Sequence, residues 1–231
     1  IEMLKTGCTA AYDLFASSPA PTDEGVEAVV RAYADVGMRA VIAPSVSDLS
    51  FYSTIPDLVD LLPLELRGEV ERVVRAPTEA ILTVAENGIR RWNGFAGGRI
   101  RLALAPTIPG QCSETLLKEC GRLAREYDVG LHTHLVETKV QAVYAWRRWG
   151  ETLVARLADL GLLGPRFVGA HGVWLTEDDI ARLADGGASV AHNPASNLKL
   201  GSGIAPIREL LDRGVNVGLG TDGSMSSDNQ D

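Results

Sequence analysis

The residues best suited to chemistry stand at the ends of short apolar runs. His132 and His134 lie in Gly-Leu-His-Thr-His-Leu-Val-Glu, which closes on Glu137. His171 lies in Val-Gly-Ala-His-Gly, and His192, followed by Asn193, lies in Val-Ala-His-Asn-Pro. Asp222 ends Val-Gly-Leu-Gly-Thr-Asp-Gly. One histidine at a strand end is compatible with a hydrogen-bonded structural role. Two at i and i+2 on a strand share a face, which suits either a metal or a polar interior. With Glu137 and Asp222 added, the set favours a metal hydrolase. Neutral imidazole and carboxylate are ligands that zinc and iron(II) accept, and burying so many ionisable groups without partners is costly.

Such a set needs strands that deliver their C-terminal ends to one place. Strands are predicted at Gly7–Phe15, Arg39–Pro44, Ile100–Pro106, Gly130–Val136, Phe167–Val173, Ser189–His192 and Val215–Gly220. Most are nearly continuous apolar runs, the pattern of strands buried on both faces of a parallel sheet. Helical spacing falls between them, at Asp23–Val36, Thr78–Trp92, Ser113–Tyr127, Thr138–Leu160 with a break near Gly150, a helix from Thr176 to Gly186-Gly187, and Pro206–Arg213. Thr176-Glu-Asp-Asp comes close to a capping box, and Pro206 suits a first helical position. Strand and helix in alternation mean βα units, in an open doubly wound sheet or a (β/α)₈ barrel. No Gly-x-Gly-x-x-Gly turn follows a strand, which disfavours a dinucleotide-binding oxidoreductase. The irregular stretch Ser45–Arg75, with Phe51-Tyr52 and Pro56, is expected to form an excursion over the mouth of the fold.

The chain has 231 residues, 45% hydrophobic and 23% charged, enough to bury a core without disulfide or metal staples. With 22 basic and 30 acidic residues the formal charge is −8, which argues against nucleic acid or an anionic membrane as partner. Cys8, Cys112 and Cys120 match no zinc ribbon or redox pair and read as reduced thiols. The thiols, and the lack of signal-peptide organisation at Ile1–Lys5, point to the cytoplasm. Trp174 either lines a pocket or packs at an interface, and Lys199 is either an exposed loop lysine or a substrate contact. Phe51, Tyr52 and Trp92 read as packing residues. A homo-oligomer is compatible with this reading.

Taken together, His132-Thr-His-Leu-Val-Glu-Thr138, Ala170-His-Gly-Val-Trp-Leu175, His192-Asn-Pro-Ala-Ser-Asn-Leu-Lys-Leu-Gly201 and Gly220-Thr-Asp-Gly223 resemble the amidohydrolase superfamily. The resemblance is to the branch of cytosine, guanine and S-adenosylhomocysteine deaminases and triazine hydrolases. Gly7-Cys-Thr-Ala-Ala-Tyr-Asp13 resembles that branch's second barrel strand. The resemblance implies a (β/α)₈ TIM-like barrel with one divalent metal at its mouth, zinc ahead of iron(II). It implies His134 and Asp222 as metal ligands, Glu137 as proton shuttle, and His171 as the group on the attacking water and substrate. Asp222 also accepts that water's proton. His192 and Asn193 fall near the substrate, with Trp174 a further candidate for substrate contact where it lines the pocket, and His132 lies one layer deeper behind His134.

The family's first strand carries a further His-x-His pair of metal ligands, and the predicted strands map onto barrel strands two to eight. The chain is therefore expected to be one hydrolase barrel domain over 1–231, truncated at both ends, without the first strand and the accessory β-sandwich. It stops at Asn229-Gln-Asp231, where the last barrel helix is expected to begin. Arg99–Thr107 has neither Lys nor Glu, so the bridging lysine of two-metal relatives has no counterpart. The implied reaction is hydrolytic deamination of an amino-substituted purine, pyrimidine or triazine by a metal-bound hydroxide, with a small heterocycle and water as partners. Dechlorination or dealkylamination of a triazine, cyclic amide hydrolysis, and an inactive fragment or pseudoenzyme are the alternatives.

Overall fold

A computed structural model describes residues 1–17, 19–55, 57–71 and 75–227. Pro56 and Asn229-Gln-Asp231 lie outside them. Among the described residues seven strands form: β1 (Ala10–Phe15), β2 (Arg39–Val46), β3 (Ile100–Pro106), β4 (Gly130–Leu135), β5 (Phe167–His171), β6 (Ser189–His192) and β7 (Asn216–Leu219). They join one sheet in sequence order, each pair parallel. A doubly wound sheet needs a point where strand order reverses. None exists here, so the winding is that of a barrel. The sheet curls strongly. Tyr12 on β1 packs edge-on against His132 on β4, with ring centroids 4.6 Å apart. In a flat sheet those strands would stand about 14 Å apart.

Period-two alternation survives inside the apolar runs. Ile42, Leu102, Leu104, Leu131, Leu135, Phe167 and Val190 face the helices and join Val26, Val30, Ile81, Ile89, Leu116, Leu117 and Leu183 in the main core. Ala43, Ala103 and Ala105 face inward with Tyr12, Leu14 and Val41. Small inward residues let the sheet curl tightly. Large outward ones, such as Ile42 and Leu104, each contribute about 1.5–3 kcal/mol by burial.

Helices begin where the sequence marks them. Ser113 accepts from Leu116 N, Thr138 from Gln141 N and Thr152 from Ala155 N. Thr176 and Asp179 complete a reciprocal capping box on Glu177–Asp185. The expected break near Gly150 is real: its φ of 72° ends Lys139–Trp149, and Leu153–Asp159 follows. Two expectations need correction. Pro206 caps the helix Ile207–Asp212 and is not its first residue, because its ψ of 63° is not helical. β1 begins at Ala10, after a left-handed Gly7. The excursion after β2 holds a 3₁₀ turn at Phe51–Thr54 and helices at Leu58–Leu61 and Leu64–Glu71. Trp92 is buried against Phe95, as a packing residue should be. Among the described residues, no helix is long and apolar enough to cross a membrane.

Cys112 and Cys120 are fully buried, and burial pushes the Cys120 thiol up to about 12 and that of Cys112 well above its ordinary value. A thiol reagent should therefore label Cys8 alone in the native protein and all three cysteines after unfolding; fast native labelling of Cys112 or Cys120 would contradict the packing. A second expectation concerns Gly169 on β5, where a Cβ would stand 2.6 Å from Leu135 Cδ2 and 3.0 Å from Leu135 Cβ. Gly169→Ala should cost about 1–3 kcal/mol by overpacking, read as a lower urea midpoint.

Candidate active site at the strand ends

The register sets β4, β5, β6 and β7 level at their C-terminal ends, pairing Leu135 with His171 and His192 with Leu219. The backbone leaves three of these ends through left-handed conformations at non-glycine residues: Val136 (φ 40°), His171 (φ 73°) and Asp222 (φ 60°). Each costs on the order of 1 kcal/mol, and such residues concentrate at functional sites. At β5 the turn continues through Gly172 (φ 58°), where a Cβ would press on Leu175 and Val190.

His134 is held from behind. Its Nδ1 lies 2.6 Å from the Thr107 carbonyl oxygen, which also accepts its backbone N–H at 2.8 Å. A carbonyl cannot donate, so Nδ1 carries the hydrogen and Nε2 keeps a lone pair. Burial drives the His134 pKa down, and His171 adds to this; the Thr107 carbonyl, Glu137 and Asp222 oppose it without reversing it. The ring is therefore a neutral nitrogen donor, oriented as metal-binding histidines are. His171 stacks on it, centroids 5.5 Å apart and planes 18° apart. His171 is buried, with Nδ1 2.8 Å from Asn197 Oδ1 and 3.5 Å from Asn193 Nδ2.

Asp222 receives Ser196 Oγ on Oδ2 at 2.6 Å and its neighbour Gly223 N on Oδ1 at 2.7 Å. Glu137 is half-buried and is fixed through its backbone N–H, which Gln141 Oε1 accepts at 3.0 Å. Asn193 is buried and caps the helix Pro194–Lys199. His192 lies beside it with a buried Nδ1 that has no hydrogen-bond partner among the described residues, and burial lowers its pKa, with His171 adding to the effect. Trp174 stands 40% exposed at the rim, its Nε1 donating to the Ser202 carbonyl and Lys139 over its ring. Lys199 ends the helix that Asn193 caps and is exposed.

His132 occupies the layer beneath His134. Its two ring nitrogens and the Tyr12 hydroxyl beside it are buried and lack hydrogen-bond partners among the described residues. Burial lowers its pKa to about 4, with His134 and His171 contributing, so the ring is neutral. It stands behind His134 without hydrogen-bonding to it.

His134, Glu137, His171, Asp222 and Asn193 thus meet at one rim, His192 beside them and Trp174 at the edge. Among the described residues, no three His, Cys, Asp or Glu side chains gather closely enough to hold a metal. The donors present, a neutral imidazole nitrogen and a carboxylate, suit a divalent ion in kind but not in number. Sequence reasoning missed Thr107, Gln141, Ser196 and Asn197. The last two sit inside Asn-Pro-Ala-Ser-Asn, where a proline one step after a capping position announces a helix start that could have revealed them. Gly220 is tied to the site too, since a Cβ there would stand 2.2 Å from Asn193 Oδ1. Gly220→Ala should displace Asn193 and lower stability by about 1–3 kcal/mol, measurable by thermal melting.

Residues 1–230 match the model of the amidohydrolase family. The chain is 38% identical over 231 residues to 5'-deoxyadenosine deaminase of Methanothermobacter thermautotrophicus, covering 100% of this chain and 47% of that protein. It is 38% identical over 228 residues to 5-methylthioadenosine/S-adenosylhomocysteine deaminase of Symbiobacterium thermophilum, covering 97% and 45%. Among solved structures it resembles the atrazine chlorohydrolase of Arthrobacter aurescens complexed with zinc, with TM-score 0.84, 29% identity, and 99% and 49% of the two chains covered. An adenosine deaminase from Xanthomonas campestris with bound zinc gives TM-score 0.80 and 26% identity, with 100% and 45% covered. The chain spans about half the length of the curated relatives it matches. By its matching family model over residues 1–230, the chain belongs to the amidohydrolase family.

Proposed function

We propose that this chain carries most of the active site of a hydrolytic deaminase acting on an amino-substituted N-heterocycle, an adenine-type ring first among them. One observation supports this above the rest: a neutral, oriented imidazole (His134), a carboxylate (Asp222) and a second imidazole (His171) meet at one barrel rim beside Glu137. The relatives named for deaminating adenosine-type molecules are more similar in sequence to this chain than the chlorohydrolase is, which supports deamination over dechlorination.

His134 Nε2 and the Asp222 carboxylate would hold one divalent metal, zinc ahead of iron(II), with further ligands supplied from outside the residues described. When bound, the metal lowers the pKa of a coordinated water toward about 7 and so provides a nucleophile at neutral pH. Asp222 would be placed to accept the proton of the attacking water. His171 hydrogen-bonds the attacking water and balances charge developing on its oxygen. Glu137 would give its proton to a ring nitrogen, collect the proton left on the added oxygen and pass that one to the departing amine, and the proton held by Asp222 would return to Glu137 through solvent to reset the site. A C–O bond forms, the C–N bond breaks, ammonia leaves and a carbonyl remains. His192 and Asn193 contact the ring, and Trp174 borders the entrance. The free thiols support the cytoplasm as compartment.

Elemental analysis after gel filtration without chelator should find about one zinc or iron per chain. Ammonia release should follow with 5'-deoxyadenosine, methylthioadenosine or S-adenosylhomocysteine. Glu137→Gln should keep the metal and lose about 10²–10⁴-fold in turnover. Full activity in that variant would remove Glu137 from the mechanism, and a chain that stays metal-free after added zinc would favour a fragment lacking the further ligands or a pseudoenzyme.

A further inference from the structure

The six-residue helix Pro194–Lys199 touches the site twice, on groups delivered by two different strands. Ser196 Oγ donates to Asp222 Oδ2 at 2.6 Å, and Asn197 Oδ1 lies 2.8 Å from His171 Nδ1. Ser196 is 0% and Asn197 1% exposed, so no water competes for either contact. The helix itself is pinned at both ends. Asn197 N donates to the Asn193 carbonyl at 2.9 Å, and the Asn197 carbonyl accepts Ser202 N at 2.8 Å.

We propose that Asn197 is a positioning residue that sets both the orientation and the tautomer of His171, while Ser196 holds the Asp222 carboxylate beside it. The proposal rests on the roles given to His171 and Asp222 above. An amide oxygen accepts and cannot donate, so the 2.8 Å contact requires the hydrogen on His171 Nδ1. Asn193 Nδ2 would favour the opposite tautomer, but at 3.5 Å it lies at the limit of a hydrogen bond. With Nδ1–H committed to Asn197, the ring turns Nε2 toward the chemistry, and in its uncharged form that nitrogen can accept a hydrogen bond from the attacking water. The left-handed backbone at His171 makes this support necessary. No regular strand geometry fixes where that side chain points. Consecutive residues on one helix therefore couple the two groups: a shift of the helix displaces both.

The chain has four histidines, so protein labelled with ¹⁵N in its imidazoles gives a resolvable long-range ¹H–¹⁵N spectrum. The His171 signals are those missing from His171→Asn. At a pH where the ring is neutral, the intact protein should show the Nδ1–H tautomer at His171. Asn197→Leu, folded by circular dichroism, should shift it to Nε2–H or a mixture and lower kcat about 10–100-fold with little change in KM. Asn197→Asp keeps an acceptor in place and should retain the tautomer and most of kcat. If Asn197→Leu does not fold, Asn197→Ser makes the same test, because its hydroxyl is too short to reach the ring. Nε2–H in the unsubstituted protein, or an unchanged tautomer in folded Asn197→Leu or Asn197→Ser, overturns the proposal. A tautomer that responds as expected in a protein releasing no ammonia supports the positioning role and overturns the deaminase reading.

Discussion

Parallel pairing in strict sequence order is the constraint on which everything else depends. It sends every strand's C-terminal end to one rim, so residues far apart in sequence arrive together without any local contact between them. Curling makes the arrangement useful. The small side chains of Ala43, Ala103 and Ala105 leave room inside for the rings of Tyr12 and His132. The helices outside are held by the larger residues of the same strands. One alternation thus builds the core and clears the space in which the polar groups sit.

The site is organised from behind. Each chemical group at the rim has a partner that aims it: Thr107 for His134, Asn197 for His171, Ser196 and Gly223 N for Asp222, and Gln141 for the backbone of Glu137. These partners come from the turns that follow the strands or from the helices that begin there. Strained backbone at Val136, His171 and Asp222 is tolerated because those contacts and the packed core over-determine the positions. Burial lowers the pKa of the imidazoles of His132, His134 and His192, which favours the form in which a ring nitrogen can bind a metal or accept a proton.

Local chemistry wrote much of the fold in advance. Continuous apolar runs located all seven strands, because strands covered on both faces leave that mark. Ser113, Thr138 and Thr176 located helix starts through their capping oxygens, and Gly150 located a break through its left-handed φ. Pro206 misled by one residue, since proline is compatible with both the capping and the first helical position. The short helices Leu58–Leu61, Leu64–Glu71 and Pro194–Lys199 gave no periodic signal, being less than three turns long.

Residue type and strand-end position alone marked His132, His134, Glu137, His171, His192 and Asp222 as candidates for the chemistry, because a polar group closing an apolar run is costly unless it is used; sorting them into roles rested on the resemblance of their motifs. The βα pattern by itself could not choose between a barrel and an open sheet, because both share it; the resemblance of the strand-end motifs pointed to the barrel, and strand order, which is a tertiary property, decided it. Nor could the sequence say which nitrogen of His134 faces outward or what holds His171. Those depend on Thr107 and Asn197, which lie 27 and 26 residues away in sequence from the rings they hold. A hydrogen bond between such distant residues has no periodicity and no local propensity, so only the folded chain reveals it.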